Sequence, residues 1–540
     1  MIYKIITYLT CNLFIYSFIY SQPDLRFHPF DWVQYRKTGK INSISFSDRY
    51  AFLGSENGGI LRFNLFSERF EEPITKAQGL KSNTIYSVHY SSNGYLWVGT
   101  PLGIEFSYDS EGEWIFINKR NLKIPFNAII EQIGESDQDI WIKTNGSVYR
   151  LDRITGVVLD IMTFPNKLVS WSSQSRFLGD YSSILMNFSL LDGWMSDLVS
   201  LIDPNGNQIN ISTIHKSPND EVWIGAENGY VFKGNRTMQT LSPFQFSLAG
   251  TDIQDIEGAN SFWIGGRREN GYNGITLFDP LSIKTYMYLF DDNINMDRTS
   301  IYSIIDLKDE VWFVGNDVVL TYNQKDDYWR TQTYDLPSLN GSISNLVEID
   351  DKVLLGTGRG LYIFNKKGKT LIKDDITNFF SNIIIFDLYS KNEIIFFATE
   401  IGLFIYDNNN NKIYEGKNFG YYDDDFVFPI RKTEYTALAS DKRNLFAANE
   451  SGIISFNFRT RKWSNAVDAS IFGGLRIKSI ASDKDIMFIA TINGIIKYNM
   501  RKNLMDMYNY SFIGEVNNMY IKGRKLWLGT SEGLISYRFK

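Results

Sequence analysis

The segment LWVGTPLGIEFSYD, at residues 96–109, is one copy of a motif that recurs along this 540-residue chain. In each copy an apolar pair is followed by Gly or Ala, and a second Gly stands six residues after the first large apolar residue. Other copies are AFLGSENGGILRFN at 51–64, VWIGAENGYVFKGN at 222–235, VLLGTGRGLYIFN at 353–365, IFFATEIGLFIYD at 395–407 and LWLGTSEGLISYR at 526–538. A unit that recurs about every 40–50 residues cannot bury its own apolar faces, so neighbouring copies must stack.

The spacing of the copies predicts twelve units. Most copies follow one another at about 40–50 residues, but Trp141 and Trp223 are about twice as far apart. One degenerate unit is therefore expected within 160–210. The first large apolar residues of the eleven clear copies are Phe52, Trp97, Trp141, Trp223, Trp263, Trp312, Leu354, Phe396, Phe446, Phe488 and Trp527.

Each unit has the pattern of four short antiparallel strands. Within 84–118, the segments TIYSVHY, YLWVGT, IEFSYD and EWIFIN are rich in β-branched and aromatic residues, and turn-forming sequences separate them. Four-stranded units at this spacing predict an all-β fold made of tandem β-propellers. Twelve blades are too many for one ring, so we expect two rings of about six.

The ends of the chain predict how a ring closes. Residues 518–540 supply three strands, and DWVQYRK at 31–37 has the pattern of an outer strand without a unit of its own. An N-terminal strand that completes the last sheet would remove exposed sheet edges. We expect a first propeller over 22–290 and a second over 291–540. A nested arrangement, with one ring inserted into the other, fits the same pattern.

The repeated residues themselves predict packing rather than chemistry. The large aromatic residue packs between blades, the Gly after it leaves room for the neighbouring blade, and the later Gly suits a turn with positive φ. The structural residues are Trp97, Trp141, Trp223, Trp263, Trp312, Trp527, Gly99, Gly225, Gly356 and Gly529. The glycines expected at positive φ are Gly58, Gly103, Gly229, Gly360, Gly402, Gly452, Gly494 and Gly533.

The N-terminus predicts export. Lys4 precedes an apolar run, and Ser21 stands at a position suited to cleavage, so residues 1–21 have the pattern of a signal peptide cut between Ser21 and Gln22. A retained membrane anchor is the alternative. Cys11 is the single cysteine and lies in this segment, so the mature chain would have no disulfide or thiolate metal site. We expect a periplasmic or secreted monomer without a transmembrane segment.

The charge balance argues against nucleic acid as a partner. The chain has 55 Lys and Arg residues against 61 Asp and Glu residues, with a formal net charge of −6. The charges are dispersed, and no basic face of the kind that binds nucleic acid stands out.

The unit QGLKSNTIYSVHYSSNGYLWVGTPLGIEFSYD at 78–109 resembles the two-component-regulator propeller repeat. The resemblance implies a double propeller of the cell envelope. Members of that family are often periplasmic sensing regions that respond to glycans, and a related double propeller belongs to the type IX secretion apparatus. The matching residues are Gly79, Leu80, Asn83, Ile85, Leu96, Trp97, Gly99, Thr100, Gly103 and Ile104.

Candidate binding residues lie in the connections between units, because loops on a rigid scaffold commonly carry function. The strongest candidate is NFGYYDDDFVFPIR at 418–431, which sets carboxylates beside aromatic rings and would suit sugar stacking or a hard cation. Its candidate residues are Tyr421, Tyr422, Asp423, Asp424, Asp425 and Phe426.

Two other connections are weaker candidates. GRREN at 266–270 contributes Arg267 and Arg268, which could bind a carboxylate or an acidic patch. DDNINMD at 291–297 alternates Asp291, Asn293, Asn295 and Asp297 as a calcium loop does, but lacks the central Gly and the distal Glu. No metal or other cofactor is therefore expected.

These patterns favour an exported, non-enzymatic propeller that binds an envelope protein or a glycan through its loops. The alternative is a polysaccharide hydrolase or lyase that uses loop carboxylates, since such pairs can meet in space from distant loops. No Gly-x-Ser-x-Gly elbow is present, and His89 and His215 stand far apart in sequence.

Overall fold

The computed structural model describes residues 28–108, 112–172, 174–175, 181–197, 199–235, 237–268, 273–316, 318–333, 343–367, 369–422, 426–429 and 433–539. Within these ranges the chain is almost entirely β-structure, as the repeat pattern predicts. None of the helices there is long and apolar enough to span a membrane. The predicted signal peptide lies outside the described residues.

Sheets A to D occupy the first part of the chain, and each has four antiparallel strands in sequence order. Sheet A comprises Ile41–Phe46, Tyr50–Ser55, Ile60–Asn64 and Arg69–Ile74. Sheet B comprises Ser87–Tyr90, Leu96–Gly99, Gly103–Ser107 and Ile115–Asn118. Sheet C comprises Ile130–Ser136, Asp139–Thr144, Val148–Asp152 and Val158–Met162, and sheet D comprises Ile211–Lys216, Val222–Ala226, Tyr230–Asn235 and Thr240–Gln245.

Sheets E to H continue the same pattern. Sheet E comprises Ile253–Glu257, Phe262–Gly266, Gly274–Asp279 and Lys284–Leu289, and sheet F comprises Ser303–Asp306, Glu310–Val314, Val318–Asn323 and Tyr328–Thr333. Sheet G comprises Ile343–Ile349, Lys352–Thr357, Gly360–Asn365 and Leu371–Ile372. Sheet H comprises Ile385–Lys391, Ile394–Thr399, Gly402–Asp407 and Lys412–Glu415.

Sheets I to K complete the chain. Sheet I comprises Tyr435–Ser440, Asn444–Asn449, Gly452–Asn457 and Lys462–Asp468, and sheet J comprises Ile477–Asp483, Ile486–Thr491, Gly494–Asn499 and Leu504–Tyr508. Sheet K comprises Val516–Lys522, Lys525–Thr530 and Gly533–Arg538, with Trp32–Tyr35 as its outer strand. The short helices are Pro29–Asp31, Lys76–Gln78, Tyr181–Asn187, Phe290–Ile294, Asp375–Phe379, Gly416–Asn418 and Ala469–Ile471.

The predicted closing strand is confirmed. Trp32–Tyr35 pairs antiparallel with Gly533–Arg538, so that Trp32 lies opposite Tyr537 and Tyr35 opposite Leu534. The Trp32 ring stacks on the Tyr537 ring with centroids 4.1 Å apart. The first strand of the chain thus covers the free edge of the last sheet, which would otherwise expose unpaired backbone groups.

The sheets form two closed rings. The first strand of sheet A contacts the first strands of both sheet B and sheet D, and the first strand of sheet E contacts those of both sheet F and sheet K. The repeat glycines indicate the same neighbouring sheets. A Cβ atom on Gly225 of sheet D would lie 2.8 Å from Ile41 of sheet A. On Gly529 of sheet K it would lie 2.9 Å from Ile253 of sheet E.

From these contacts we propose that the rings divide within 246–252, and not after residue 290 as the spacing suggested. Sheet E, at 253–289, contacts sheets F and K rather than sheet D. Sheets A to D then form a ring inserted between the strand at 32–35 and the rest of the second ring. This is the nested arrangement.

Residues 160–210 do not form a four-stranded sheet within their described part. Ser170–Trp171 pairs with the first strand of sheet C, and Gln174–Ser175 pairs with the first strand of sheet D. A small three-stranded sheet comprises Met195–Ser196, Leu201–Ile202 and Gln208–Ile209. Ser189–Leu190 adds a parallel strand to sheet D. The count of twelve blades is therefore not confirmed.

The repeat residues lie in the core. Trp97, Trp141, Trp223, Trp263, Trp312 and Trp527 are all buried. The Trp263 ring of sheet E lies 5.4 Å from the Phe313 ring of sheet F. Positive φ occurs at Gly103, Gly229, Gly360, Gly402, Gly452, Gly494 and Gly533. In the first copy it falls on Gly59 instead of the predicted Gly58, because the extra Gly shifts the turn by one residue.

One of the hydrophobic clusters spans the junction of the two rings. A single buried cluster contains Val33 and Tyr35 of the closing strand, Trp223 of sheet D and Trp527 of sheet K. Polar contacts connect the same junction: the Gln34 amide donates to the Phe512 carbonyl oxygen of the second ring at 3.0 Å, and the Gln34 side-chain oxygen accepts from the Asn83 amide of the first ring at 3.2 Å. The closing strand is therefore packed against both rings.

Candidate functional site

The connection at 416–434, between sheets H and I, is the longest connection of the second ring. Other connections in that ring cover 290–302, 373–384, 469–476 and 509–515. All of them join the outer strand of one sheet to the inner strand of the next, so they leave the ring at the same face. Binding residues on a rigid scaffold are commonly found in such connections, and this is the longest one of the second ring.

Buried aromatic rings anchor this connection. The indole nitrogen of Trp463, in the outer strand of sheet I, donates to the Phe419 carbonyl oxygen at 2.7 Å. The Phe428 ring lies 5.4 Å from the Trp463 ring and 6.0 Å from the Phe426 ring. Phe426, which the sequence placed among the binding residues, is buried. Its side chain anchors the segment and is not presented to solvent.

Tyr421 and Tyr422 form an extra strand on the edge of sheet I. They pair in parallel with Lys462 and Trp463. Their side chains are 66% and 52% exposed. Two large aromatic side chains are thus held in solvent on a backbone that is hydrogen-bonded in place. Asp423, Asp424 and Asp425 lie outside the described residues.

A cavity of about 330 Å³ opens beside the same connection. Leu403 and Phe404 of sheet H, Phe428 and Pro429 of the connection, and Tyr435 of sheet I line it. Glu415 and Lys417 also line it and form an ion pair at 3.1 Å. Burial raises the pKa of Tyr435, and the Asn449 side chain partly opposes this shift.

The arginines predicted at 266–270 lie elsewhere. Arg267 and Arg268 follow the second strand of sheet E, where the backbone N–H groups donate to the Asp252 carbonyl at 3.0 Å and the Ser300 hydroxyl at 2.9 Å. Arg268 is exposed and Arg267 is half-buried. The neighbours of sheet E in the ring are sheets F and K, so the structure does not bring these arginines to Tyr421 and Tyr422 on sheet I.

Polar residues at 291–297 form hydrogen bonds within the turn that contains them. The Arg298 guanidinium donates to one Asp291 oxygen at 2.9 and 2.7 Å. The Asn293 side chain accepts from the Leu289 N–H at 2.8 Å, and Asn295 has a φ of 55°. No set of three or more His, Cys, Asp or Glu side chains among the described residues is placed to hold a metal ion.

The second ring encloses a central cavity of about 550 Å³, lined by the first strands of sheets E to K. Asp255 of sheet E lies against it, and Asp387 of sheet H lines its narrow continuation of about 140 Å³. Neither residue was among the sequence candidates. A comparison between copies of the repeat could have identified them, because other copies have Ser or Asn at the equivalent position, as at Ser303 and Asn345.

Both aspartates bridge neighbouring sheets. Asp255 accepts from the Ile304 N–H of sheet F at 2.7 Å and from the Asn518 amide of sheet K. Asp387 accepts from the Leu438 N–H of sheet I at 2.7 Å and the Asn345 amide of sheet G at 2.8 Å.

The protonation of these carboxyl groups is set mainly by burial. Burial raises the pKa of Asp255 and of Asp387 to about 7 each, although the hydrogen bonds that each carboxyl group accepts lower its pKa. Burial, with Asp255 and Asp306 nearby, raises the pKa of Glu257 to about 8. Because the oxygens of both aspartates are engaged by neighbouring sheets, we assign them to the scaffold.

The two histidines on inner strands of the first ring are also buried. The Nδ1 atom of His89 is hydrogen-bonded to the Ser172 hydroxyl, and the His215 ring stacks on Phe46 with centroids 5.5 Å apart. Burial, together with the nearby His215, lowers the pKa of His89 to about 3, and burial lowers that of His215 to about 4. Both rings are therefore neutral at ordinary pH.

Several solved structures resemble the whole chain at low similarity. The extracellular domain of BT4673 from B. thetaiotaomicron, described as a one component system, is 15% identical, with 93% of this chain and 71% of that chain covered and a TM-score of 0.43. That of BT3049, described as a hybrid two component system, is 15% identical, with 96% and 77% covered and a TM-score of 0.32.

PorZ, a surface component of the type-IX secretion system of Porphyromonas gingivalis, is 12% identical, with 94% of this chain and 87% of that chain covered and a TM-score of 0.35.

A comparison with curated proteins found no match. The family described as two component regulator propeller matches residues 79–101, which confirms the resemblance seen in the sequence. In this range Gly79 ends a short helix, and Leu96–Gly99 forms the second strand of sheet B. Residues 79–101 are thus a two component regulator propeller repeat, set in an all-β chain of two propeller rings.

Proposed function

We propose that this chain is an exported, non-enzymatic binding module that holds a protein or glycan partner at the cell envelope through the connection at 416–434. The observation that carries the proposal is the pair Tyr421 and Tyr422. Both side chains are exposed, while the backbone that bears them is paired to sheet I. Aromatic side chains held rigidly in solvent lose little entropy on binding, and Tyr is enriched at binding hot spots.

The surrounding structure supports a presenting role for this connection. Phe419, Phe426 and Phe428 are packed inward around Trp463, so the segment does not depend on a partner for its own core. Tyr421 and Tyr422 are not part of that buried cluster. Side chains that contribute little to the fold and remain exposed are candidates for recognition.

The predicted signal peptide supports an envelope location, periplasmic or secreted. The alternative from the sequence, a polysaccharide hydrolase or lyase, depends on Asp423, Asp424 and Asp425. The two buried aspartates at the central cavity, Asp255 and Asp387, do not favour it, because they accept hydrogen bonds from the backbone of neighbouring sheets.

The test is recovery of a partner by the purified mature chain, residues 22–540, from a cell-envelope extract and from a glycan array. We expect one ligand to be retained by the wild type and to be lost from the double variant Tyr421→Ser, Tyr422→Ser. The matched control is Tyr286→Ser, Tyr328→Ser, which alters two exposed tyrosines on the outer strands of sheets E and F. No retained ligand, or equal loss in both variants, would overturn the proposal.

A further inference from the structure

In the second ring, sheet E differs from the other sheets at one position of the first strand. This position faces the first large apolar residue of the motif on the second strand, and in sheet E it is Glu257, opposite Trp263. Sheets F to K have an aliphatic residue, Ala or Tyr there. These residues are Ile305, Val347, Tyr389, Ala439, Ala481 and Tyr520. Together with Glu257 they line the central cavity of about 550 Å³.

Among the described residues, the Glu257 carboxyl group has no hydrogen bond and no salt bridge. It is half-buried, and the charged groups that act on it, Asp255 and Asp306, are both acids. Burial and these acids raise the pKa of Glu257 to about 8. An ionised carboxylate in such surroundings lowers stability unless a cation or a hydrogen-bond donor pairs with it. The aliphatic residues at the equivalent positions would avoid this loss, so the acid calls for a functional reason.

The charged residues that line the cavity are all acids. Its described lining contains Asp255, Glu257 and Glu348, and no Lys, Arg or His. Asp255 accepts from the Ile304 N–H, and Glu348 forms an ion pair with Lys366, which does not line the cavity. Of the three acids, Glu257 is thus the one left for a ligand. A positively charged ligand would supply the missing partner.

The other walls favour an organic cation over a metal ion. Ile304, Leu346 and Leu388 form an aliphatic wall next to the position of Glu257. Tyr520 lies near Glu257, since burial and the Glu257 charge raise the pKa of Tyr520, and aromatic rings attract ammonium groups. A metal ion needs several oxygen or nitrogen ligands, and no three acidic, His or Cys side chains of the described part of the chain are placed to hold one.

We propose that the central cavity of the second ring binds a small organic ammonium ion, whose charged group pairs with Glu257 and whose carbon chain lies along the aliphatic wall. Its volume is within the range for ligand pockets, about 300–1,000 Å³. Glu348 and Tyr520 are exposed and mark the end at which the ligand enters. Ala439, on sheet I across the ring from sheet E, is small and leaves room for the chain. The site is separate from the connection at 416–434 and does not rest on the proposed function.

The direct test is calorimetric titration of the mature chain, residues 22–540, with pentylamine, 1-pentanol and calcium chloride at pH 9. At this pH the Glu257 carboxyl group is mostly ionised, and pentylamine still carries its charge. We expect pentylamine to bind with a Kd of about 0.1–1 mM, at least about tenfold tighter than 1-pentanol. Calcium should not bind. Equal affinity for pentylamine and 1-pentanol, binding of calcium alone, or no binding of any of the three overturns the inference.

Glu257→Gln tests the charge that we assign to the site. The affinity for pentylamine should fall at least about tenfold, because the shape of the side chain is kept and its charge is lost. The matched control is Glu450→Gln, which alters an exposed acid on a turn of sheet I and should bind as the wild type does. Unchanged affinity in Glu257→Gln, or an equal loss in both variants, contradicts the inference.

Urea titration at pH 9 separates this role from a structural one. An unpaired carboxylate lowers stability above its pKa, so Glu257→Gln should unfold at the same urea concentration as the wild type or at a higher one. A lower midpoint would show that the carboxylate has a structural partner, and the inference would fall.

Ala439→Phe fills the cavity and leaves Glu257 in place. We expect this variant to fold and to lose pentylamine binding, whereas Tyr421→Ser, Tyr422→Ser should bind pentylamine as the wild type does. Wild-type affinity in Ala439→Phe would place the amine outside the cavity and overturn the inference.

Discussion

Gly529, in the last sheet of the chain, lies against Ile253 and not against Ile41. A Cβ atom on Gly529 would approach the Ile253 Cγ2 atom to 2.9 Å, whereas Ile41 is met by Gly225. The first Gly of the motif makes the same contact with an Ile of a neighbouring sheet in other copies, as Gly99 does with Ile130 and Gly356 with Ile385. These pairs show which sheets are neighbours, and at 225 and 529 they mark the closure of two separate rings.

The first prediction concerns this closure. Gly529→Val should lower the free energy of unfolding by about 1–3 kcal/mol, because added methyl groups would overpack the contact with Ile253. Denaturant titration measures the effect. Gly146→Val is the control, since no atom lies within 4 Å of its Cβ position and its φ is not positive. Equal effects at both sites would contradict the closure.

The second prediction concerns the N-terminal strand. Trp32→Ala should lower the free energy of unfolding by about 3–5 kcal/mol, because the ring is buried and stacks on Tyr537 of sheet K. Denaturant titration again measures it, with Phe66→Ala, at an exposed ring, as the control. A loss below about 1 kcal/mol would show that the strand does not complete the sheet.

The third prediction concerns pH. Burial lowers the pKa of His89 to about 3 in the folded chain, below its ordinary value of 6.5, so the unfolded chain binds the proton more readily between these values. This group therefore removes stability as the pH falls from 6.5 towards 3. We expect His89→Leu to lose less stability than the wild type between pH 6.5 and 4, measured by urea titration at each pH.

His28→Leu is the control for that experiment, because His28 is exposed. An identical pH dependence in the wild type and His89→Leu would show that the buried ring is not the source of the change. The comparison is made between variants because Asp255 and Asp387 act in the opposite direction. Their raised pKa values add stability that is lost as the pH rises towards about 7.

The fourth prediction concerns the bridging aspartates. Asp255→Ala removes the acceptor for the Ile304 N–H and the Asn518 amide, and unsatisfied buried donors cost about 1–3 kcal/mol each. We expect faster amide hydrogen exchange at Ile304, and unchanged exchange at Leu438, which is bonded to Asp387. Unchanged exchange at Ile304 would show that Asp255 does not hold sheets E and F together.

The sequence predicted the sheets well because the motif gives each strand a local signal. It predicted the closing strand because DWVQYRK has a strand pattern but no unit around it. It could not assign sheet E to a ring, since Gly and Ile stand at the same positions in several copies. Any glycine could meet any isoleucine, and only the folded order shows that Gly529 meets Ile253.

The candidate site was predicted in part. The aromatic residues at 419–428 marked the connection, but which of them are buried depends on a strand farther along the chain. Phe426 is buried in one cluster with Trp463, whereas Tyr421 pairs with Lys462 at the sheet edge. Tyr435, which faces Asn449 across sheet I, could have been found by aligning the copies on their first and second strands. The cavity that it lines could not, because it depends on the packing of sheets H and I.

The central claim is that the connection at 416–434 contacts a partner at the cell envelope. The most direct measurement is photo-crosslinking in envelope extract with p-benzoylphenylalanine placed at position 422, or at position 328 as an equally accessible control. We predict a discrete crosslinked species from position 422 and none from position 328. No adduct at 422, or the same adducts from both positions, would contradict the claim.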